Sequence, residues 1–296
     1  MKNNSFSYVL TSVSGLMLLL ASCEKVSLGE SAAGKEEANV VVSVRSYEMT
    51  PFGAKTRTAI SDLCNRLSFV AFNTRGERFD QKNQLLGDDD DFGEAYFTLP
   101  VGTYRMAVVA HSSDGNPTVS KRTESKNESI SFTNAKGFTD TFFASQPLTV
   151  GEEPVNLTMN LSRVVAMIRF VNTDAIPANA DSVRFYYEGG SGSLDVVTSY
   201  GNVNSKQTMW FDKAATPYEI YTIPHTENDE IDVTIGTYRG TDLVTSKEIP
   251  GIPIRRNCIT TCTGRLFDGK VSKVTFTITV NPTWGTPINY PIPNTL

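Results

Sequence analysis

VNLTMNLSRVVAMIRF, residues 155–170, contains two strand patterns that are out of phase with each other. Apolar residues occupy the odd positions over 155–161 and the even positions over 164–170. Such alternation is typical of a β-strand with one buried and one wet face. The phase cannot change inside a flat strand without turning the core face outward. The switch at Ser162-Arg163 therefore predicts either a bulge or, as we favour, a passage from one β-sandwich to a second.

The same period of two recurs along the chain. Residues 231–235 and 274–280 alternate apolar with polar or small residues, which predicts half-buried strands. Residues 66–73 and 104–111 are apolar on both faces, which predicts inner strands. No window of a dozen residues has convincing helical spacing. The sequence therefore predicts an all-β fold.

The phase switch divides the chain into two parts, each of ordinary sandwich size. Residues 39–162 are predicted to form an N-terminal β-sandwich, and residues 163–296 a C-terminal one. Residues 23–38 precede both and are mostly polar, small and charged. This composition predicts a flexible spacer.

The first 22 residues have the layout of a secretory signal, with Lys2 as their only charge. The mostly apolar run at 8–21 would form a helix about 21 Å long, too short for a bilayer core of about 30 Å. Leu20-Ala21-Ser22-Cys23 resembles a bacterial lipobox, which implies cleavage before Cys23 and lipid on that cysteine. We therefore predict a lipoprotein signal peptide over 1–22. The alternative is a plain signal peptide with a chance cysteine.

The overall composition weighs against nucleic acid as a partner. The 296-residue chain has a formal charge of −5, which becomes −6 when Lys2 is removed with the signal peptide. An acidic chain without a basic block is poorly suited to phosphate backbones. Its hydrophobic content of 40% is enough for substantial cores.

The cysteines beyond the lipobox are Cys64, Cys258 and Cys262. On a strand, Cys258 and Cys262 would point the same way about 13 Å apart, too far for a disulfide. The chain has neither paired CxxC spacings nor adjacent histidines, which weighs against zinc. We expect buried apolar side chains, and a single disulfide from Cys64 to either partner stays open.

The candidate catalytic and metal motifs are weak. His111 ends an apolar strand and His225 lies in a loop, so both are interpreted as structural or solvated. GGSGS at 189–193 lies between strand patterns, not between a strand and a helix as a nucleophile elbow requires, so we predict a flexible hairpin loop. DDDDFG at 88–93 has Leu99 where an EF-hand needs glutamate, which favours a solvated acidic turn. We predict no catalytic residue, no metal site and no cofactor.

Several aromatic residues suggest a second function, because aromatic rings can stack on sugars. At most one of Tyr186 and Tyr187 can line a given surface, since neighbouring strand residues face opposite ways. A surface glycan-binding lipoprotein is therefore the alternative, although core packing is the commoner fate of aromatic side chains. The residues concerned are Tyr186, Tyr187, Trp210, Trp284 and Tyr290.

Several stretches together resemble one known family, the FimB-like fimbrial lipoproteins. These are anchor and minor subunits of type V pili in Gram-negative anaerobes, and the resemblance covers most of residues 39–280. The stretches are the lipobox with its spacer, LPVGTYRMAVVAH (99–111), LSRVVAMIRFVN (161–172), FYYEGGSGSLD (185–195), GNVNSKQ (201–207) and RRNCITTCTGRLF (255–267).

The resemblance implies two transthyretin-like β-sandwiches in series and a structural role as a fimbrial anchor or minor subunit. It also implies an acylated Cys23 in the outer membrane, exposure at the cell surface, and fimbrial subunits as partners. Subunits of these pili exchange strands, so that a segment of one completes a sheet of another. Two strands are candidates for exchange, and the sequence leaves open which of them is used. The first carries Val40, Val42 and Val44, and the last carries Val274, Phe276, Ile278 and Val280.

The resemblance also draws attention to an arginine beyond the first strand, where stalk subunits of this family are cut. Arg45 continues the first strand pattern, whereas Arg57 lies in a Pro- and Gly-containing stretch of the kind that proteases favour. Arg57 is therefore the candidate processing site. We expect an anchor to keep its lipid, and hence Arg57 to stay uncut.

Overall fold

A computed structural model describes residues 35, 37–46, 48–49, 55–56, 60–132, 138–269 and 277–281, with only the backbone of 45–46, 48–49, 55–56 and 277–281. The elements within these residues are β-strands and one short 3-10 helix, Ile60–Asp62, so the predicted all-β class is confirmed. The strands are β1 (Val40–Ser46), β2 (Glu48–Met49), β3 (Lys55–Thr56), β4 (Arg66–Asn73), β5 (Arg78–Leu85), β6 (Glu94–Phe97), β7 (Gly102–His111), β8 (Thr118–Ser120), β9 (Ser129–Ser131), β10 (Phe142–Val150), β11 (Val155–Arg163), β12 (Ala166–Asn172), β13 (Ser182–Glu188), β14 (Ser193–Asp195), β15 (Lys206–Asp212), β16 (Tyr218–Thr222), β17 (Asp229–Arg239), β18 (Asp242–Ile254), β19 (Ile259–Gly264) and β20 (Thr277–Asn281).

The N-terminal part of the chain forms a seven-stranded sheet in the order β5-β4-β7-β10-β11-β1-β6. Side chains from both ends of this order meet in one hydrophobic cluster, the first core, which includes Phe69 of β4 and Phe97 of β6. The sheet therefore folds over on itself. Gln84 links its two edge strands, since its amide group donates to the carbonyl of Glu94 at 2.7 Å.

The C-terminal part contains two four-stranded sheets, β16-β12-β19-β20 and β15-β13-β17-β18. Their inward side chains form a second core, in which Phe170 of β12 packs against Phe185 of β13 with ring centroids 4.9 Å apart. The inward positions are the alternate ones, as the period of two predicts. Two sheets facing each other across such a core form a β-sandwich.

A third hydrophobic cluster, the junction cluster, joins the two parts. It contains Val70 and Phe72 from the outer face of the seven-stranded sheet together with Leu194, Val196 and Ile223 from the C-terminal part. The small sheet β14-β9-β8 also crosses this junction, because β9 and β14 pair antiparallel. Strands β4 and β7 are thus covered on both faces, by the first core and the junction cluster. This confirms their prediction as inner strands.

The phase switch falls where the chain leaves one sheet for another. β11 belongs to the seven-stranded sheet and β12 to the sandwich, while Val164 and Val165 lie between them in the junction cluster. Arg163 ends β11 and donates two hydrogen bonds to the Asp140 carboxylate, at 2.7 and 2.9 Å. Each strand then keeps its own inward phase, and no bulge is needed to explain the switch.

His111, at the end of β7, makes the stability of the fold sensitive to acid. Its ring is fully buried, and Nδ1 accepts a hydrogen bond from the Ser113 N–H at 3.2 Å. Burial, with a smaller contribution from Arg66, lowers the pKa of His111 from 6.5 to about 4. The unfolded chain binds the proton more tightly than the folded protein does. The stability that comes from keeping His111 neutral and buried is therefore fully present above pH 6.5 and is lost as the pH falls through about 4. We expect a loss of about 3 kcal/mol in the free energy of unfolding across that window.

The measurement is urea unfolding of the wild type and of His111→Asn between pH 7 and pH 4. Asparagine keeps an acceptor near the Ser113 N–H but does not titrate, so its stability should fall less over this range. Carboxylates that titrate in the same range affect both proteins equally, so their contributions to the pH dependence of stability cancel in the comparison. Equal pH dependence in both would contradict the assignment to His111.

Candidate functional site

The first candidate for strand exchange, β1, lies inside the seven-stranded sheet. It pairs parallel with β11, from Val40 opposite Val155 to Ser46 opposite Leu161, and antiparallel with β6 on its other side. Val40 and Val42 are fully buried in the first core, and Val44 packs against its edge. The first strand therefore fills a slot between two others and supplies part of the core below it.

The start of β1 is held by a side chain as well as by the ladder. The Asn39 amide donates to the Leu99 carbonyl at 2.8 Å and accepts from the Leu99 N–H at 2.9 Å. This pair of bonds imitates a backbone pairing and fixes the register of β1 against the turn that follows β6. Arg45 lies within β1 opposite Asn160, as its position in the strand pattern predicts.

The second candidate strand, β20, lies at the edge of the sandwich. It pairs antiparallel with β19, from Ile278 opposite Cys262 to Val280 opposite Thr260 at the centre of the ladder. Among the described residues it has no strand on its other side. Release of β20 therefore breaks one ladder, whereas release of β1 breaks two.

The chain between β19 and β20 is anchored to the sandwich before it reaches the edge. The Asp174 carboxylate accepts the N–H groups of Leu266 and Phe267, both at 2.9 Å. The Lys247 ammonium donates to Asp268 at 2.9 Å and to the carbonyl of Arg265. These contacts, the 265–268 clamp, fix the point from which the chain runs toward β20.

Lys247 is 2% exposed, and sequence reasoning missed its role. A signal was present, because Lys247 lies two residues before Ile249 and hence on the inward face of β18. A lysine in the apolar phase of a strand implies a buried acid nearby. The sequence does not say which acid, since Asp268 is 21 residues away.

The described cysteines lie in separate cores. Cys64 belongs to the first core and Cys262 to the second, and neither forms a disulfide bond. Burial raises the pKa of both thiols to about 12 and also raises the pKa of Cys258. Such thiols stay protonated at neutral pH and are poor nucleophiles. The structure thus places these cysteines as apolar core residues.

Four residues singled out in the sequence lie outside the described residues: Cys23, Arg57, Val274 and Phe276. The lipidation site, the candidate processing site and the first half of the last strand therefore stay predictions. For Ile278 and Val280 the structure describes the backbone alone.

The glycine-rich stretch at 189–193 differs from its prediction as a flexible loop. Gly190 has φ +57°, and a Cβ there would lie 2.2 Å from Thr222 Oγ1. Ser191 exchanges backbone hydrogen bonds with Ile223 at 2.8 and 3.0 Å. The glycines therefore allow two buried backbone segments to approach closely, a use of glycine that a loop interpretation overlooks.

The features associated with catalysis have structural partners. His225 Nδ1 lies 3.0 Å from the Asp229 carboxylate, and its Nε2 lies 3.1 Å from the Val203 carbonyl. Within the described ranges, no three His, Cys, Asp or Glu side chains are grouped to hold a metal ion. In the same ranges, no helix has the length and apolarity that crossing a bilayer requires.

The aromatic residues divide as strand geometry predicts. Tyr187 is buried in the second core, and its hydroxyl donates to Gln207 at 2.5 Å, whereas Tyr186 faces outward. Trp210 on β15 is 53% exposed. Trp284 and Tyr290 lie outside the described residues.

Comparison with known proteins gives a family match over most of the chain. The family model described as fimbrillin-A associated anchor proteins Mfa1 and Mfa2 matches residues 30–290. No curated protein matches the chain significantly.

Solved structures of bacterial proteins align with most of the chain. A Bacteroides thetaiotaomicron protein, described as a candidate polysaccharide-binding protein, aligns with a TM-score of 0.50 and 12% identity over 84% of this chain and 98% of that chain. The fimbrial anchor protein Mfa2 from Porphyromonas gingivalis aligns with a TM-score of 0.45 and 10% identity over 83% and 98%. A fimbrial assembly protein from Parabacteroides distasonis aligns with a TM-score of 0.41 and 13% identity over 81% and 94%. At such identities, the first of these supports the fold alone.

Proposed function

Because this chain belongs to the family of fimbrillin-A associated anchor proteins Mfa1 and Mfa2, we propose that it is a lipid-anchored fimbrial anchor subunit that joins its partners by β-strand exchange. The family match over residues 30–290 is the observation that carries this proposal. The family is structural and not enzymatic, it is associated with the cell surface and outer membrane, and its name implies association with fimbrillin. The lipid on Cys23 and the exchange of strands are our proposals and go beyond the family match.

The pairing of β1 supports its role as the strand that an anchor retains. If β1 left its slot, the ladders of both β11 and β6 would lose their partners and Val40 and Val42 would leave the first core. Each buried valine contributes about 1.5–3 kcal/mol, so an empty slot is costly and would be refilled by another strand. A subunit that keeps β1 closes this end of the assembly to further strands.

The edge position of β20 supports its role as the strand that is exchanged. Because β20 has a single ladder, with β19, its release requires less free energy than the release of β1. The 265–268 clamp keeps the preceding chain attached to the sandwich when β20 leaves. Exchange at β20 would therefore leave most of the second core in place.

An anchor that retains β1 predicts an uncut chain at Arg57. Cleavage there would separate the lipid and β1 from the rest of the protein, and the seven-stranded sheet would lose the internal strand that joins β11 to β6. We expect mass spectrometry of the protein from native outer membranes to find one chain, continuous from acylated Cys23 past Arg57. A mature amino terminus at Thr58 would instead assign the protein to the polymerising subunits.

We further propose that residues 39–162 and 163–296 are two domains in series. Support comes from the separate first and second cores, while the junction cluster predicts that each part depends on the other for full stability. Fragment 163–296 is expected to fold cooperatively with a β-type circular dichroism spectrum. Its melting temperature should lie at least about 5 °C below that of the full chain, because Leu194, Val196 and Ile223 lose their cover. A fragment without a cooperative melt would contradict a separate C-terminal domain.

A further inference from the structure

The outer face of the β15–β13–β17–β18 sheet carries a continuous row of large side chains. Trp210, Arg184 and Gly236 are direct neighbours on β15, β13 and β17, and Tyr238 pairs with Leu243 on β18. Trp210 is 53% and Leu243 is 56% exposed. These side chains, Arg184, Trp210, Tyr238 and Leu243, are called the Trp210 patch.

Gly236 makes the patch continuous. A Cβ at this position would lie 2.8 Å from the Tyr238 ring and 3.2 Å from Leu243 Cδ1, so both side chains lie close over the backbone of Gly236. The Tyr238 ring in turn lies 4.9 Å from the Trp210 ring in an edge-to-face arrangement. The row therefore forms one apolar surface that crosses the sheet from edge strand to edge strand.

Arg184 gives this surface an unmatched charge. Its guanidinium carbon lies 5.1 Å from the Tyr238 ring centroid and 5.9 Å from that of Trp210. Its Nε is buried without an acceptor, and within the described residues Arg184 forms no ion pair. Arg163 and Arg169, by contrast, are paired with Asp140 and Glu219. Arg255 and Arg256 also have a buried Nε without an acceptor, but their terminal amino groups donate to Asn228 and to the Ser199 carbonyl. The terminal amino groups of Arg184 are thus left for a carboxylate from outside, which would supply the missing counter-ion.

We infer that the Trp210 patch is a docking surface for a folded fimbrial subunit whose own surface presents a carboxylate beside an apolar side chain. This inference rests on the proposed function and names a contact besides the exchanged strand. Tryptophan, tyrosine and arginine are the residues that dominate binding energy in protein interfaces. An apolar centre with a polar rim is the usual anatomy of such interfaces.

A saccharide fits the patch less well than a protein does. Sugar hydroxyls require several polar groups that converge on the ring, as in other small-molecule sites. Here the neighbouring polar groups engage each other, since the Tyr186 hydroxyl donates to Glu188, which also pairs with Lys206 at 3.3 Å. The row itself offers one exposed indole, a leucine and a guanidinium on a sheet face, which suits an opposing protein surface.

The test measures binding of purified fimbrillin from the same cells to the full mature protein in detergent, by biolayer interferometry. Trp210→Ala should raise Kd at least about tenfold, equivalent to about 1.4 kcal/mol. Arg184→Gln should weaken binding and reduce its dependence on salt, because it removes the charge that meets the carboxylate. Phe79→Ala is the matched control, since Phe79 is an aromatic residue that is 47% exposed on β5 of the seven-stranded sheet. This variant should bind as tightly as wild type.

The results distinguish failure of the docking surface from failure of the proposed function. If wild type binds and Trp210→Ala binds equally well, the docking surface is wrong and the proposed function stands. If wild type binds no fimbrillin, both are wrong. A saccharide panel serves as the second measurement. Saccharide binding that Trp210→Ala abolishes would assign the patch to a glycan and overturn the protein partner.

Discussion

Replacing Cys23 with alanine is expected to remove nearly all of the protein from the outer-membrane fraction. If the lipobox operates, the lipid on Cys23 is the anchor, and no other acylation site is proposed. Each acyl chain contributes about 0.8 kcal/mol per buried methylene, so several chains hold the protein durably where one would be reversible. Loss of the cysteine removes all of these chains at once, which is why the expected effect is close to complete.

Membrane fractionation and incorporation of labelled palmitate measure this effect. Ser22→Ala is the matched control, because it keeps both Cys23 and a small residue before it, and it should remain labelled and membrane-bound. A Cys23→Ala protein that still sediments with outer membranes and still takes up palmitate would show that the lipobox interpretation is wrong.

Replacing Asp268 with alanine is expected to lower the free energy of unfolding by about 3–5 kcal/mol. Lys247 is buried inside the sandwich, and Asp268 is the carboxylate that its ammonium contacts, at 2.9 Å. Without Asp268 the charge keeps the carbonyl of Arg265 as an acceptor but loses its counter-ion. A buried charge without its counter-ion costs far more than the intact pair contributes. Because the Arg265 carbonyl remains, we expect the loss of stability to lie toward the lower end of the range.

Two further variants separate this explanation from general disruption of the clamp. Lys247→Met removes the buried ammonium and keeps an apolar chain of similar length, while Asp268 keeps Arg265 as a cation at 3.6 Å. This variant should therefore cost less than about 1.5 kcal/mol. Arg75→Ala breaks an exposed pair with Glu77, and its stability should stay close to that of wild type. Urea unfolding measures all three. Equal losses for Asp268→Ala and Lys247→Met would refute the role of the unpaired charge.

The sequence by itself determined the all-β class and the inward faces of individual strands. The odd positions of β11 and the even positions of β12 point inward as their patterns predict, and β4 and β7 are covered on both faces. These successes share one physical reason. Each residue of a strand faces opposite to its neighbours, so burial of one face is recorded directly as a period of two.

The sequence also identified the family, through short stretches spread over much of the chain. The match over residues 30–290 confirms that identification. The sequence could not specify the 265–268 clamp, because Lys247 shows only that some acidic residue must lie nearby. It likewise treated the glycine-rich stretch as a loop, since the close approach of Gly190 to Thr222 depends on a residue 32 positions away.

Only the tertiary structure decided which strand lies beside which. It placed β1 inside a sheet, parallel to β11 and next to β6, and among the described residues it placed β20 at an edge with one neighbour. It separated Cys64 from Cys262 into different cores, and it gathered Trp210, Arg184 and Tyr238 into one surface from three strands. Alternation shows that a face is buried but not what covers it, because backbone ladders join strands without regard to their distance in sequence.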